Sequence, residues 1–283
     1  MGSPLATIST SACLLLALSA CTADNSTNTE SAAATSAEHQ TLRIAAAANL
    51  SDVLPSIIDS YQVDHRVSDS ISDKSDLDID VTYASSGKLY AQIIAGAPYD
   101  VFLSANQEFP AKLADKIPKD STTHQPFTYT QGQLALYSVN KPLDEFSPKV
   151  LSDMLISASS SKIAIASPEL APYGASAQSY LQAQKLYDPL VQQKRIIQAE
   201  NIGQAFQYAY TGSVDYGFVA QSQISAINAK PEQFITLAPE SYPAILQDGI
   251  IISDKPANID FTNYLRSAEG QRYFLQAGYL TVQ

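Results

Sequence analysis

From residue 42 the chain alternates short apolar runs with segments whose hydrophobic residues recur at helical spacing. "LRIAAAANLSDVLPSIIDSYQ" (42–62) gives an apolar strand, a polar break at Asn49 and a helix with Val53, Leu54, Ile57, Ile58 and Tyr61 on one face. Pro55 falls near the first turn of that helix, where a missing N–H is tolerated. "VTYASSGKLYAQIIAG" (81–96) repeats the arrangement: a strand, three tiny residues, then a helix carrying Leu89, Ile93 and Ile94 and stopped by Gly96 and Pro98. "YDVFLSAN" (99–106) supplies a third strand.

The same order then recurs. "KIAIASPELAPYGASAQSYLQAQKL" (162–186) and "RIIQAENIGQAFQYAYTG" (195–212) each read strand–turn–helix, and "VDYGFVAQ" (214–221) mirrors "YDVFLSAN". Two such sets predict an α/β fold of two similar lobes, each a mostly parallel sheet flanked by helices. "GQLALYSV" (132–139) and "AILQDGIIIS" (244–253) read as strands near the crossings between lobes, and "IDFTNYLRSAEGQRYFLQAG" (259–278) as one helix returning to the first. The expected boundaries are 41–128 for the first lobe, 129–241 for the second and 242–283 for the return segment.

Residues 64–80 interrupt the pattern. Asp76, Asp78 and Asp80 alternate as in a calcium loop, but no glycine follows and Leu77, Ile79 and Val81 fill the gaps. That alternation fits a half-exposed strand entered from a solvated loop better than a metal site.

The N-terminus differs in kind. "ACLLLALSAC" (12–21) is an apolar run too short to span a bilayer as a mature helix, and it ends in Leu18-Ser19-Ala20-Cys21, which resembles the bacterial lipobox. Residues 1–21 are therefore expected to be a lipoprotein signal with Cys21 lipidated, although the first ten residues lack the basic charge of such signals. Residues 22–40 have almost nothing to bury and read as a disordered tether.

Composition narrows the chemistry. With 283 residues, 45% of them hydrophobic, the chain can build a substantial core; its formal charge of −11 argues against a nucleic-acid partner. The only cysteines are Cys13 and Cys21, so residues 41–283 hold no disulfide and no cysteine metal site. The three histidines, His39, His65 and His124, lie in polar, loop-like sequence that offers no triad or metal spacing.

What remains is a set of helix starts. In open α/β sheets, ligands lodge beyond the carboxyl ends of the strands, where helices begin. Four junctions qualify, two in each lobe: Ala48-Asn49, Ser85-Ser86-Gly87, Ala171-Pro172-Tyr173-Gly174 and Asn201-Ile202-Gly203. Each offers unpaired N–H groups and the positive end of a helix dipole, and small residues let an anion approach. Four converging starts make an uncharged cage for an oxyanion; any one alone is equally an ordinary cap. Lys88, on the first turn of its helix, reads as a solvated charge.

The stretches "RIAAAANL", "YASSGKLYAQIIAGAPYDVFLSAN", "SPELAPYG", "ENIGQAFQYAYTG" and "DYGFVA" together resemble the ModA family, the periplasmic molybdate-binding receptors of ABC transporters, across residues 41–283. The resemblance implies a type II periplasmic-binding fold, a monomer, and molybdate or tungstate held without counter-charges and delivered to a membrane permease. It implies no enzymatic activity and no cofactor, and any metal arrives only as the oxyanion. The family's ligand contacts fall on Asn49, with Ala48 beside it, and on Ser86, Tyr173 and Ile202. Asn49 is expected to donate through its backbone and its side-chain amide, Ser86 through hydroxyl and N–H, and Tyr173 and Ile202 through backbone N–H groups. Many members have serine at the position of Asn49, and some have a ligand-binding tyrosine at that of Ala220. Three alternatives stay open: another oxyanion such as sulfate or phosphate, an amino or organic acid, and an enzyme using Asp52 or Asp100.

Overall fold

The computed structural model describes residues 40–68, 77–117, 122–143, 152 and 160–282. These fall within one compact unit, Ala37–Gln283. Residues 1–21, expected to be an export signal ending at Cys21, nearly all of the expected tether, and Asp76 lie outside the described residues.

Two five-stranded sheets carry the fold, with strand orders β2-β1-β3-β10-β4 and β7-β6-β8-β5-β9. In the first, β1 (Gln40–Ala47) pairs in parallel with β2 (Leu77–Ala84) and β3 (Val101–Leu103). The crossovers are α1 (Leu54–Ser68) and α2 (Ser86–Ile94). β10 (Ile245–Ile251) runs against both β3 and β4 (Phe127–Gly132). The second sheet repeats this plan. β6 (Ile163–Ala166) pairs in parallel with β7 (Ile196–Ala199) and β8 (Tyr216–Ala220), and β5 (Leu134–Tyr137) runs against β8 and β9 (Phe234–Thr236). Here α4 (Pro172–Ala183) and α6 (Ile202–Tyr210) lead the crossovers. In each sheet one strand runs against the other four, and it is the strand that follows a crossing between lobes.

These elements form where the apolar periodicity places them. On α1, Leu54, Ile57 and Tyr61 are buried, and with Val53 they pack under Leu42, Ile44 and Ala46 of β1. Ala45, on the other face of β1, joins Leu89, Phe102 and Ile250. β2 alternates in burial: Asp78 and Asp80 are exposed, while Ile79 and Val81 pack against the core. Among the described residues, no group of three or more His, Cys, Asp or Glu is placed to hold a metal ion. No described helix is long and apolar enough to cross a membrane.

Two expectations are altered. The strand expected at 132–139 is present but shorter, β5 at Leu134–Tyr137, because Gly132 ends β4 in the first sheet; residue 128, the expected boundary, lies inside β4. A Cβ at Gly132 would collide with the Tyr173 hydroxyl and the Gln247 amide, so only glycine lets the chain change lobes here. The single C-terminal helix is instead α8 (Pro256–Arg266) and α9 (Ala268–Gln276). Ser267 between them is extended (φ −67°, ψ 164°) and accepts the Gly270 N–H, so a serine cap starts a new helix in mid-pattern.

Sheet register sets up the site. Ala47 pairs with Ala84 and Ala166 with Ala199, so adjacent parallel strands end level and their following segments begin side by side. The lobes meet at these ends, where Ala47, Ala48 and Ala105 of the first belong to the hydrophobic cluster of the second.

Candidate functional site

All four junctions line one cavity between the lobes; the first is the start of a short 3-10 turn, Ala48–Leu50, and not of α1, which begins beyond it at Leu54. It is partly open to solvent, and its walls include Ala48, Asn49, Ser85, Ser86, Tyr173 and Ile202. Ala47, Ala84, Ala105, Ala171, Pro172 and Asn201 complete the lining, and no charged side chain is among them. The structure thus brings together Ala48, Asn49, Ser86, Tyr173 and Ile202, and adds Ala47, Ala84 and Ala105, which the helix-start argument passed over because they end or follow strands and start no helix.

Local sequence explains how each start presents its donors. In α4, Pro172 occupies the first helical position and has no N–H, so Tyr173 carries the first free donor. A Cβ at Gly174 would collide with the Ala166 carbonyl, so glycine lets α4 sit directly against the end of β6. In α6, Asn201 Oδ1 accepts the Gln204 N–H at 3.0 Å and Gln204 Oε1 accepts the Glu200 N–H at 2.7 Å. This reciprocal capping fixes the start and leaves the first-turn N–H groups of Ile202 and Gly203 without intrahelical partners. A Cβ on Gly203 would lie 3.9 Å from that of Ala48, so the two lobes approach closely here. At α2, Ser86 Oγ accepts the Ala105 N–H at 2.9 Å, a buried bond that orients the oxygen and keeps the hydroxyl proton for another acceptor.

Asn49 departs in part from its expected role. Its side chain does not present its N–H groups to the cavity; Asn49 Nδ2 donates to Gln247 Oε1 and to the Tyr279 hydroxyl, each at 3.0 Å. Its carbonyl accepts from Tyr279 at 2.7 Å and Ser222 at 3.2 Å. What remains of Asn49 is the backbone N–H, which a ligand can use, and the side-chain Oδ1, buried and without a partner. Gln247 extends the network: Tyr129 donates to Gln247 Oε1 at 3.1 Å, and Gln247 Nε2 donates to the Tyr173 hydroxyl at 3.2 Å. The tyrosine therefore turns its ring inward and offers its main chain to the cavity. Burial, then neighbouring phenols, pushes the Tyr173 hydroxyl well above its ordinary pKa, and burial does the same at Tyr129 and Tyr279, so all three stay protonated donors. The sequence signal for this network was the polar Gln247 inside an apolar strand; its partners were not legible.

Two contacts close the rim. Gly87 N–H donates to the Leu170 carbonyl of the opposite lobe at 2.9 Å. Lys88 is not a free solvated charge: it meets Glu200 across the rim at 2.6 Å, with both side chains about half exposed. The other candidates stand outside. Asp52 is exposed ahead of α1, and Asp100 is engaged by Lys255, Ser253 and the Arg43 N–H. Ala220 is buried at the end of β8 with its N–H held by Gln223, away from the lining. His124 contacts the Ile251 carbonyl and Asp254, also away from it.

Comparison with known proteins agrees with this architecture. The model of the bacterial extracellular solute-binding protein family matches residues 42–280. The molybdate-binding protein ModA of Rhodobacter capsulatus is 32% identical over 209 residues, covering 71% of this chain and 77% of that protein. YvgL of Bacillus subtilis, named as an ABC transporter substrate-binding lipoprotein, is 31% identical over 246 residues, covering 84% and 86%. Among solved structures, the periplasmic molybdate-binding protein of Azotobacter vinelandii superposes with a TM-score of 0.71 at 29% identity, covering 86% of this chain and all of that one. The chain belongs to the bacterial extracellular solute-binding proteins and, within them, to the ModA family.

Proposed function

We propose that this protein is an extracytoplasmic receptor that binds molybdate or tungstate between its lobes and delivers it to the permease of an ABC importer. The observation that carries the reading is a cavity walled by four helix starts and no charged side chain. Backbone N–H groups of Asn49, Ser86, Tyr173 and Ile202, with the Ser86 hydroxyl and Ala48 packed beside Asn49, supply the donors. A hydrogen bond to a charged partner contributes about 1.5–3 kcal/mol net, so five or six offset dehydration of a dianion and still leave tight binding. The ligand is cargo, and the relatives' names are those of binding proteins, which supports a receptor rather than an enzyme.

A donor-only cage suits a fully deprotonated tetrahedral dianion. Hydrogen phosphate keeps a proton that needs an acceptor, and sulfate, with shorter bonds, leaves some donors out of reach. An amino acid needs a countercharge for its ammonium or carboxylate, which the lining lacks. The lipobox supports anchoring of the mature chain to a bacterial membrane through Cys21, and the lipoprotein name of the Bacillus relative is consistent with that. Competitive calorimetry tests the ligand assignment: molybdate and tungstate should bind alike, sulfate weaker by at least about 4 kcal/mol, roughly a thousandfold, and phosphate not measurably. Sulfate or phosphate binding as tightly as molybdate overturns it.

A further inference from the structure

Ser85 is the N-cap of α2, yet its hydroxyl caps nothing. Elsewhere this chain uses such residues in the ordinary way: Asn201 accepts the Gln204 N–H and Ser267 accepts the Gly270 N–H. At α2 the N–H of the second helical residue, Gly87, is taken across the cleft by the Leu170 carbonyl. Ser85 is left 2% exposed, with Oγ shielded from solvent and without any hydrogen-bond partner. A buried hydroxyl without a partner is unfavourable and is seldom retained unless something else satisfies it. Ser85 lines the cavity.

We propose that the Ser85 hydroxyl is a further ligand-binding group, donating to the oxyanion beside the Ser86 hydroxyl. This rests on the reading of the cleft as an oxyanion site and adds to it a side-chain donor that the family resemblance does not assign and that the helix-start argument counted only as part of a junction of N–H groups. The two serines divide their tasks. Ser86 Oγ is positioned by the Ala105 N–H. Ser85 Oγ has no protein partner to exchange, so its donation to an anion breaks no existing bond. It contributes to binding without a compensating loss in the protein.

The test uses the full chain and sodium molybdate, with Kd from calorimetry and the melting temperature measured without anion. Ser85→Ala should weaken molybdate binding at least tenfold, about 1.4 kcal/mol, while the anion-free melting temperature stays level or rises, because an unsatisfied polar group has been removed. A helix cap behaves oppositely, losing stability when truncated. Ser85→Thr, which keeps the hydroxyl, should bind within about threefold of the parent. Binding by Ser85→Ala within threefold of the parent overturns the proposal, as does a fall in anion-free stability with no recovery of affinity in Ser85→Thr. Failure of the parent protein to bind molybdate or tungstate overturns the oxyanion reading itself. Normal parental binding with an unaffected Ser85→Ala overturns only the role of Ser85.

Discussion

Gly87→Ala separates cleft closure from folding. A Cβ at this position would stand 3.1 Å from Leu170 Cα, 3.1 Å from Leu170 Cδ2 and 3.1 Å from Phe109 Cζ. Carbon atoms prefer about 3.5–4.0 Å, so each contact is short by roughly half an ångström. The Leu170 Cδ2 and Phe109 contacts are side-chain atoms that can yield; Leu170 Cα is backbone in the opposite lobe and moves only if the cleft opens. Opening stretches the 2.9 Å bond from Gly87 N–H to the Leu170 carbonyl and every donor distance to a shared anion. Overpacking costs about 1–3 kcal/mol and a lost neutral hydrogen bond about 1 kcal/mol, partly the same relaxation, so the closed state should lose about 1.5–3 kcal/mol. That corresponds to a ten- to hundredfold rise in Kd for molybdate, read by calorimetry. The open state gains instead, since alanine favours the helix over glycine by up to about 1 kcal/mol. The variant's anion-free melting temperature should therefore hold or rise, while its stabilisation by ligand shrinks. Affinity within threefold of the parent would refute the reasoning, because the bound lobes would then not meet at the distance seen here.

Gln247→Leu keeps the bulk but removes the acceptor for Asn49 and Tyr129 and the donor to Tyr173; unfolding free energy in urea should fall by about 2–4 kcal/mol, and an unchanged midpoint and slope would disprove the network's role. Burial alone would raise the Asp100 carboxyl, but bonds from Lys255, Ser253 and the Arg43 N–H, with the Lys255 charge, hold it below its ordinary 3.8. A depressed folded pKa gives stability that is present above the unfolded value and lost as pH falls through the folded one. Asp100→Asn should thus be less stable than the parent by about 1.5–3 kcal/mol at neutral pH, with the gap closing as pH falls below the ordinary 3.8 and through the depressed folded value; a gap that persists undiminished in acid contradicts the assignment. Cys21→Ser should move the protein from the membrane to the soluble fraction with molybdate affinity unchanged; continued membrane fractionation rules out the lipid anchor.

The sequence by itself determined the elements and their repetition. The spacing of Leu54, Ile57 and Tyr61 specifies α1, and the alternation of Leu77, Ile79 and Val81 with acids specifies β2, because a helix or strand must turn its apolar positions to one side whatever lies there. It also located the four helix starts, since small and polar residues at strand ends are local signals. Periodicity records which face is buried, not against what. The tertiary structure therefore decided the level strand ends that bring the starts together, the change of sheet at Gly132 and the extended Ser267 that divides the last helical pattern. It also decided which donors remain for a ligand. Asn49 looked like a side-chain donor until Gln247, 198 residues away, and Tyr279, 230 away, engaged its amide. Ser85 looked like a cap until Leu170 took the N–H that a cap would bind. A hydrogen bond goes to whichever partner the packed chain places within about 3 Å, and for these groups that partner is remote in sequence.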